Sequence, residues 1–261
     1  MAQDEKRIAL LIDADNAPAA KLDVILAEVA RHGVANVRRA YGDWKNPHLK
    51  SWEACLHQYA IRPVQQFAYS RGKNASDMAM VIDAMDLLYA RNLDGFAIVS
   101  SDADFTPLVM RLLTDGVKVY GFGEKKTPDP FVNACSKFTY VEALGRRESA
   151  GNGGGVSNGA ESEAGTEPRT AAELRGDTRL VQMLRGAVEF ASGDDGWSNL
   201  GAVGQQIGNQ ASFDSRNYGY RKLSDLIEAT GLFDVLREEQ NIRVREKPKP
   251  RKAAKRPRNA G

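Results

Sequence analysis

Residues 8–16 read IALLIDADN: five apolar residues, then two aspartates and an asparagine within four positions. A continuous apolar run of this kind, without polar alternation, is expected of a strand covered on both faces, as in a parallel sheet between helices. Its polar end then falls at the carboxyl end of the strand, where open parallel sheets bind ligands. The same grammar returns at 96–104, FAIVSSDAD, an apolar run closing on Asp102 and Asp104. Around these two runs, strand and helix signals alternate. Leu22, Ile25, Leu26 and Val29 have helical spacing, and Gly33 ends that helix. A strand is expected at 37–41, a helix carrying Trp52 and Leu56 at 49–59, and a short strand at 63–67. A Met- and Leu-rich helix follows at 76–89, then a helix at about 105–113, Gly116 and a strand at 117–120. This order predicts an α/β domain with a parallel sheet and right-handed crossovers. No internal repeat is visible.

The chain has 261 residues, 42% hydrophobic and 27% charged, which is an ordinary globular mix. Its net charge of +2 identifies no partner. The two cysteines, Cys55 and Cys135, cannot form a disulfide framework and suggest a reducing compartment. The five apolar residues before Asp13 are too few for a signal-peptide core or a membrane span, so a cytoplasmic protein is expected. Composition changes after Leu144. The Gly-, Ser- and Glu-rich text that follows cannot bury enough surface to offset its ordering entropy. The expected organisation is an α/β domain at 1–144, a linker at 145–172, a small domain at 173–246 and a basic tail at 247–261. In the small domain, helices at 177–191, 199–209 and 220–229 precede two short strand-like runs, 233–236 and 241–244. That is the outline of a winged helix, a class that binds nucleic acid or protein. Trp197 reads as core or as a hydrophobic staple before the second helix.

The acidic strand ends carry the chemistry. Several carboxylates ionised in one cleft repel one another and call for a counter-charge, and hard oxygen ligands suit Mg²⁺ or Mn²⁺. Such an ion can lower the pKa of a water and stabilise an in-line phosphodiester displacement. Asp13, Asp77, Asp102 and Asp104 are the candidate metal ligands, with Asn16 in the same catalytic group. Each also has a structural reading. Asn16 could cap a helix starting near Pro18, Asp104 could cap the helix at Phe105, and Asp77 could simply favour a helix N-terminus. Asp15 could start a turn, Asp83 faces away from the others, and Ser100 or Ser101 could orient a carboxylate or water. Arg71, Lys73, Trp44 and Lys45 could grip phosphate and stack a base, or form a basic loop and a Trp packed on the domain edge. In the small domain Tyr220, Arg221 and Lys222 open the third helix and are the expected RNA contacts there, the alternatives being core for Tyr220 and a solvated face for the cations.

Four blocks, LLIDADNAP, RRAYGDW, KNASDMAMVIDAM and IVSSDADFTPLV followed by GVKVYGFG, occur in order over about 8–141. Together they resemble the NYN family of PIN-like ribonucleases, in particular its LabA-like bacterial branch. DGWSNLGAVGQQI and FDSRNYGYRKLSDLIEATGLFDV resemble the OST-HTH or LOTUS module. The resemblance implies a PIN-like three-layer α/β/α fold, acidic residues binding Mg²⁺ or Mn²⁺, and RNA as substrate. It places Asp13 and Asn16 in the first block, Asp77 in the third, and Asp102 and Asp104 in the fourth, where relatives commonly carry glycine in place of Ser101. For the second module it implies structured or G-rich RNA, or a protein partner.

The leading expectation is a divalent-metal-dependent endoribonuclease, soluble and with homo-oligomerisation left open. A two-metal route would leave 5′-phosphate and 3′-hydroxyl ends. The alternative is a non-catalytic RNA-binding adaptor, with Lys247, Lys249, Arg251, Lys252, Lys255, Arg256 and Arg258 attracting phosphate in a salt-dependent way. A haloacid-dehalogenase-type phosphatase would use Asp13 as nucleophile, but it usually has Thr or Val where Ala17 stands.

Overall fold

The apolar run at 8–12 becomes β1 (Arg7–Asp13), buried from Ile8 to its end. The structure, a computed structural model, describes residues 5–67, 75–90, 92–145, 167–238 and 241–248. It divides into two units, Met1–Pro168 with Gly208–Arg221, and Arg169–Ile207 with Lys222–Gly261.

In the first unit β1 is followed by α1 (Leu22–Val29), β2 (Val34–Gly42), α2 (Trp52–Gln58), β3 (Arg62–Gln65) and α3 (Ala75–Ala90). Then come β4 (Gly95–Val99), α4 (Thr106–Thr114), β5 (Lys118–Gly123), α5 (Asp129–Ala134) and β6 (Lys137–Tyr140). The six strands are parallel, in the order β3-β2-β1-β4-β5-β6. The direction of winding reverses between β1 and β4, so the crevice beyond their carboxyl ends is the expected ligand position. Alternation along β1 sends Ile8, Leu10 and Ile12 into one core with Leu22, Ile25 and Trp52, and Ala9 and Leu11 into another with Met80, Leu108 and Phe131. Helices therefore cover both faces, which is why the run carries no polar residue. The three-layer α/β reading is correct.

Sequence patterning missed α5 and β6. The first is a six-residue helix opened by proline, and the second places half-buried Lys137 and Tyr140 on either side of adjacent buried Phe138 and Thr139. Neither is long enough to show a period.

In the second unit α6 (Ala171–Gly176) starts two residues inside the stretch read as linker, fixed by a reciprocal capping box between Thr170 and Glu173. It is followed by α7 (Thr178–Phe190), β7 (Ser198–Asn199), α8 (Leu200–Gln210), α9 (Leu223–Thr230), β8 (Phe233–Glu238) and β9 (Asn241–Glu246). The strands form an antiparallel sheet in the order β7-β9-β8. This is the expected small helical and sheet domain. Trp197 is half-buried rather than core, with Arg245 stacked 4.5 Å from its ring centroid. Most of the linker, and the tail cations beyond Pro248, lie outside the described residues. Among the described residues no helix is long and apolar enough to cross a membrane.

The segment Gly208–Arg221 belongs to the first unit and is joined to it by buried ions. Arg216 donates to both oxygens of Glu28, at 2.6 and 2.7 Å, and to Asp214. Glu28 and Asp214 are almost fully buried, and Lys137 stands 3.4 Å from each. Thr139 donates to Asp214 at 3.0 Å. Asn217 donates to the Phe138 carbonyl at 2.9 Å and accepts from the Tyr140 amide at 3.0 Å. One amide side chain thus pairs two backbone groups on the edge strand β6, which has no further strand beside it among the described residues.

Candidate functional site

Asp13 closes β1 in register with Tyr41 of β2, and Ile12 pairs with Val99 of β4. Its carboxylate therefore enters the crevice at the winding reversal, 1% exposed. One oxygen, Oδ2, accepts from Ser100 Oγ at 2.7 Å and from Asn16 Nδ2 at 3.0 Å. The other, Oδ1, is buried with no hydrogen-bond partner among the described residues. A buried unsatisfied carboxylate oxygen is costly and rare. Burial pushes the Asp13 carboxyl pKa upward and the Asp15 charge adds to that, while Ser100 and Asn16 oppose it.

Ser100 links the two acidic strand ends. Its Oγ donates to Asp13 and accepts the Asp102 amide at 3.0 Å. The Asp102 carboxylate in turn accepts the Asp104 amide at 2.9 Å and caps the turn before α4. The capping role read for Asp104 thus belongs to Asp102, and Asp104 is exposed. Asn16 caps no helix either. The turn after Pro18 has no side-chain cap, and the Asn16 amide is spent on Asp13. Ser101 accepts the Glu124 amide at 2.9 Å, a loop contact. Gly123, on the neighbouring β5, is required by close approach, since a Cβ there would lie 2.6 Å from the Ser100 carbonyl oxygen.

Asp77 stands in the first turn of α3 as expected. Burial, and then the charges of Asp13, Asp102, Asp15 and Asp104, raise its carboxyl pKa to about 6. Four other carboxylates of the two strand ends therefore act on Asp77. Ser76 beside it donates to Asp15 at 3.1 Å, fastening the start of α3 to the loop after β1. Asp83 faces elsewhere: it takes hydrogen bonds from Arg39 and the Tyr41 hydroxyl. Among the described residues no three acidic, His or Cys side chains are drawn together as ligands of one ion.

The sign of the Asp77 shift gives an expected outcome. Folded protein keeps this proton up to about pH 6, while the unfolded chain releases it near the ordinary aspartate value of 3.8. Between those values stability falls as pH rises, and the loss is complete above about pH 6. Asp77→Asn is therefore expected to stabilise the full chain in EDTA at about pH 7 and to change little at about pH 3.5. Urea midpoints at the two pH values check this, and equal shifts at both would refute it.

The expected RNA contacts are more dispersed. Trp44 is half-buried and donates from its indole to the Val64 carbonyl at 3.1 Å, so it packs on the domain edge as its structural reading had it. Lys45 is exposed, its ammonium 4.9 Å from the Phe67 ring centroid. Arg71 and Lys73 lie outside the described residues. Tyr220 is half-buried, Arg221 and Lys222 are exposed, and Lys222 is the N-terminal cap position of α9. The Glu28, Asp214, Arg216 and Asn217 network carried no signal in the sequence.

Residues 7–142, just over half of the chain and the whole parallel-sheet unit up to the end of β6, match the NYN domain. The chain belongs to the NYN family. Residues 176–244 match the OST-HTH/LOTUS domain. The chain thus joins an NYN domain to an OST-HTH/LOTUS domain. The chain is 29% identical over 125 residues to the uncharacterized protein MJ0482 of Methanocaldococcus jannaschii, covering 46% of this chain and 48% of that protein. It thus spans about half the length of this curated relative. A Vibrio parahaemolyticus protein of unknown function, VPA0982, is 20% identical with a TM-score of 0.45, over 54% of this chain and 96% of that one. The WlbA dehydrogenase of Bordetella pertussis, in complex with NADH and UDP-GlcNAcA, gives 14% identity and a TM-score of 0.30, over 74% and 42%. Neither structural likeness bears on function at these values.

Proposed function

We propose that this NYN protein is a divalent-metal-dependent endoribonuclease whose OST-HTH/LOTUS module and basic C-terminal segment bring RNA to it. The observation that carries the reading is Asp13: a buried carboxylate at the winding reversal, with one oxygen held by Ser100 and Asn16 and the other unpartnered. An oxygen-only donor set with an unsatisfied carboxylate oxygen fits Mg²⁺ or Mn²⁺. Asp13, Asp77, Asp102 and Asp104 would hold the ion, directly or through water. When bound, it supplies an activated water and neutralises charge in the phosphodiester displacement.

The protein's own part is positioning and proton control. Ser100 and Asn16 fix the Asp13 carboxylate so that Oδ1 is the oxygen left for a ligand; Asn16 is thus a positioning residue. Ser100 also sets the backbone at Asp102. At neutral pH Asp77 is ionised and adds its charge to the group; below about pH 6 it carries a proton and that charge is lost. Activity is therefore expected to fall in acid, at a pH below about 6 because a bound cation would hold Asp77 ionised further down, read from a pH–rate profile. Ser100→Ala removes a hydrogen bond that orients a metal ligand and is expected to cost about 10–100-fold in activity or metal affinity.

The deciding experiment incubates the pure full chain with mixed-structure RNA and DNA, with and without Mn²⁺. RNA cleavage that needs the ion, and is lost in Asp102→Asn, supports the reading. RNA binding that survives EDTA, with no turnover on any substrate, would instead make the protein an adaptor. A covalent aspartyl-phosphate would revive the phosphatase.

A further inference from the structure

A cavity of about 490 Å³ lies between the loop after β1 and the 3₁₀ turn Pro47–Ser51 that leads into α2. Its volume is in the range of sites that hold a small organic group. The floor is apolar and firm, made of Trp52, Leu49 and Ala14, all buried. Ala14, Ala17 and Ala19 leave room for a flat ring to come close to the backbone. The rim is polar: Asn46 uses its Oδ1 to accept the His48 amide at 3.1 Å, which leaves its NH₂ unspent. The His48 ring and the Ser51 hydroxyl likewise have no hydrogen-bond partner among the described residues. Three uncommitted groups, able to donate and accept, thus surround an apolar floor.

The position of the cavity says what it would take. Asp15 forms part of its wall, and the Asp15 charge acts on Asp77 while its carboxylate accepts from Ser76. The cavity and the acidic group therefore share a residue. A carboxylate in the wall disfavours a phosphate there, so the occupant is neutral, with hydrogen-bonding edges and a flat face.

We propose that this cavity is a nucleoside subsite, taking one unstacked base of single-stranded RNA next to the phosphate at the acidic group. The proposal rests on the nuclease reading above and adds the substrate class. A base inside a duplex is stacked and paired and cannot enter a pocket, whereas an unpaired one can be splayed out and read along its edges. The protein should therefore prefer single strands, and Asn46, His48 and Ser51 should set a base preference.

The test uses the full chain, isotope-labelled, in EDTA, with 5′-phosphorylated tetraribonucleotides of each single base and a short RNA duplex as probes. NMR shifts at the Ala17, His48 and Ser51 amides and the Trp52 indole are expected with the single strands, differing between bases, and not with the duplex. Ser51→Leu, which fills an exposed edge of the cavity, is expected to remove these shifts. His48→Ala is expected to weaken the preferred base about tenfold, the loss of roughly one hydrogen bond. Absence of shifts at these residues with every oligonucleotide, or equal shifts with the duplex, would overturn the subsite. Base-dependent shifts without cleavage under any metal would remove the nuclease and leave the subsite standing. Metal-dependent cleavage with the same base preference in wild type and Ser51→Leu would do the reverse.

Discussion

Asp13→Asn is expected to lower metal-dependent RNA cleavage by about 10³-fold, comparable with the loss of one preorganised electrostatic group in a hydrolase. The substitution is close to isosteric. An asparagine Oδ1 can still accept from Ser100 and Asn16 at the place of the present Oδ2, so the fold should persist. What disappears is the charge, and the orphaned oxygen becomes an NH₂ that cannot ligate a cation. Burial makes this carboxylate hard to ionise, so removing the charge should stabilise the metal-free chain slightly even as it abolishes activity. Opposite movements of stability and turnover distinguish a functional carboxylate from a structural one. Cleavage by Asp13→Asn at the wild-type rate would end the proposed mechanism, and cleavage that continues in EDTA would betray a contaminant.

Arg216→Ala should have the largest effect on stability. It leaves Glu28 and Asp214 buried and without their main counter-charge, a change that costs about 3–5 kcal/mol when a buried ion pair is broken. Lys137 remains 3.4 Å from both carboxylates, which argues for the lower end, about 3 kcal/mol. Burial alone would raise the Glu28 pKa, but hydrogen bonds from Arg216 and His32, with the charges of Arg216 and Lys137, hold it well below the usual range. Asp214 is lowered in the same way, against its burial, by Arg216 and Lys137. Depressed carboxyl groups contribute stability above their unfolded pKa values and lose it as acid protonates the folded form. The contribution should thus be full at neutral pH and decline below about pH 4. Hydrogen exchange at the α1 and β6 amides of the full chain measures it. Unchanged protection in Arg216→Ala would show that the network does not hold the segment Gly208–Arg221 in place.

The strands and helices that position the site were legible wherever burial imposed a pattern. Ile8 to Ile12 and Phe96 to Val99 had to be apolar because both faces of the sheet are covered, and the aspartates after them had to lie at its carboxyl edge. The short β6 and α5 were not legible, since elements of four to six residues are too short to show a period. The sequence left capping open at Asn16 and Asp104, because local spacing fits several hydrogen bonds equally well. The choice was made by Asp13, whose buried carboxylate draws the Asn16 amide away from any cap.

What the amino-acid order determined by itself was the α/β class and the second module, which follow from local patterning and ordered blocks of text. Only the tertiary structure decided that Ser100 bridges the two strand ends, that Asp13 Oδ1 is the unpartnered oxygen, and that Glu28 meets Arg216 across 188 positions of chain. Desolvation and Coulomb attraction depend on distance in space. Residues far apart in the chain therefore reveal neither until folding has brought them together.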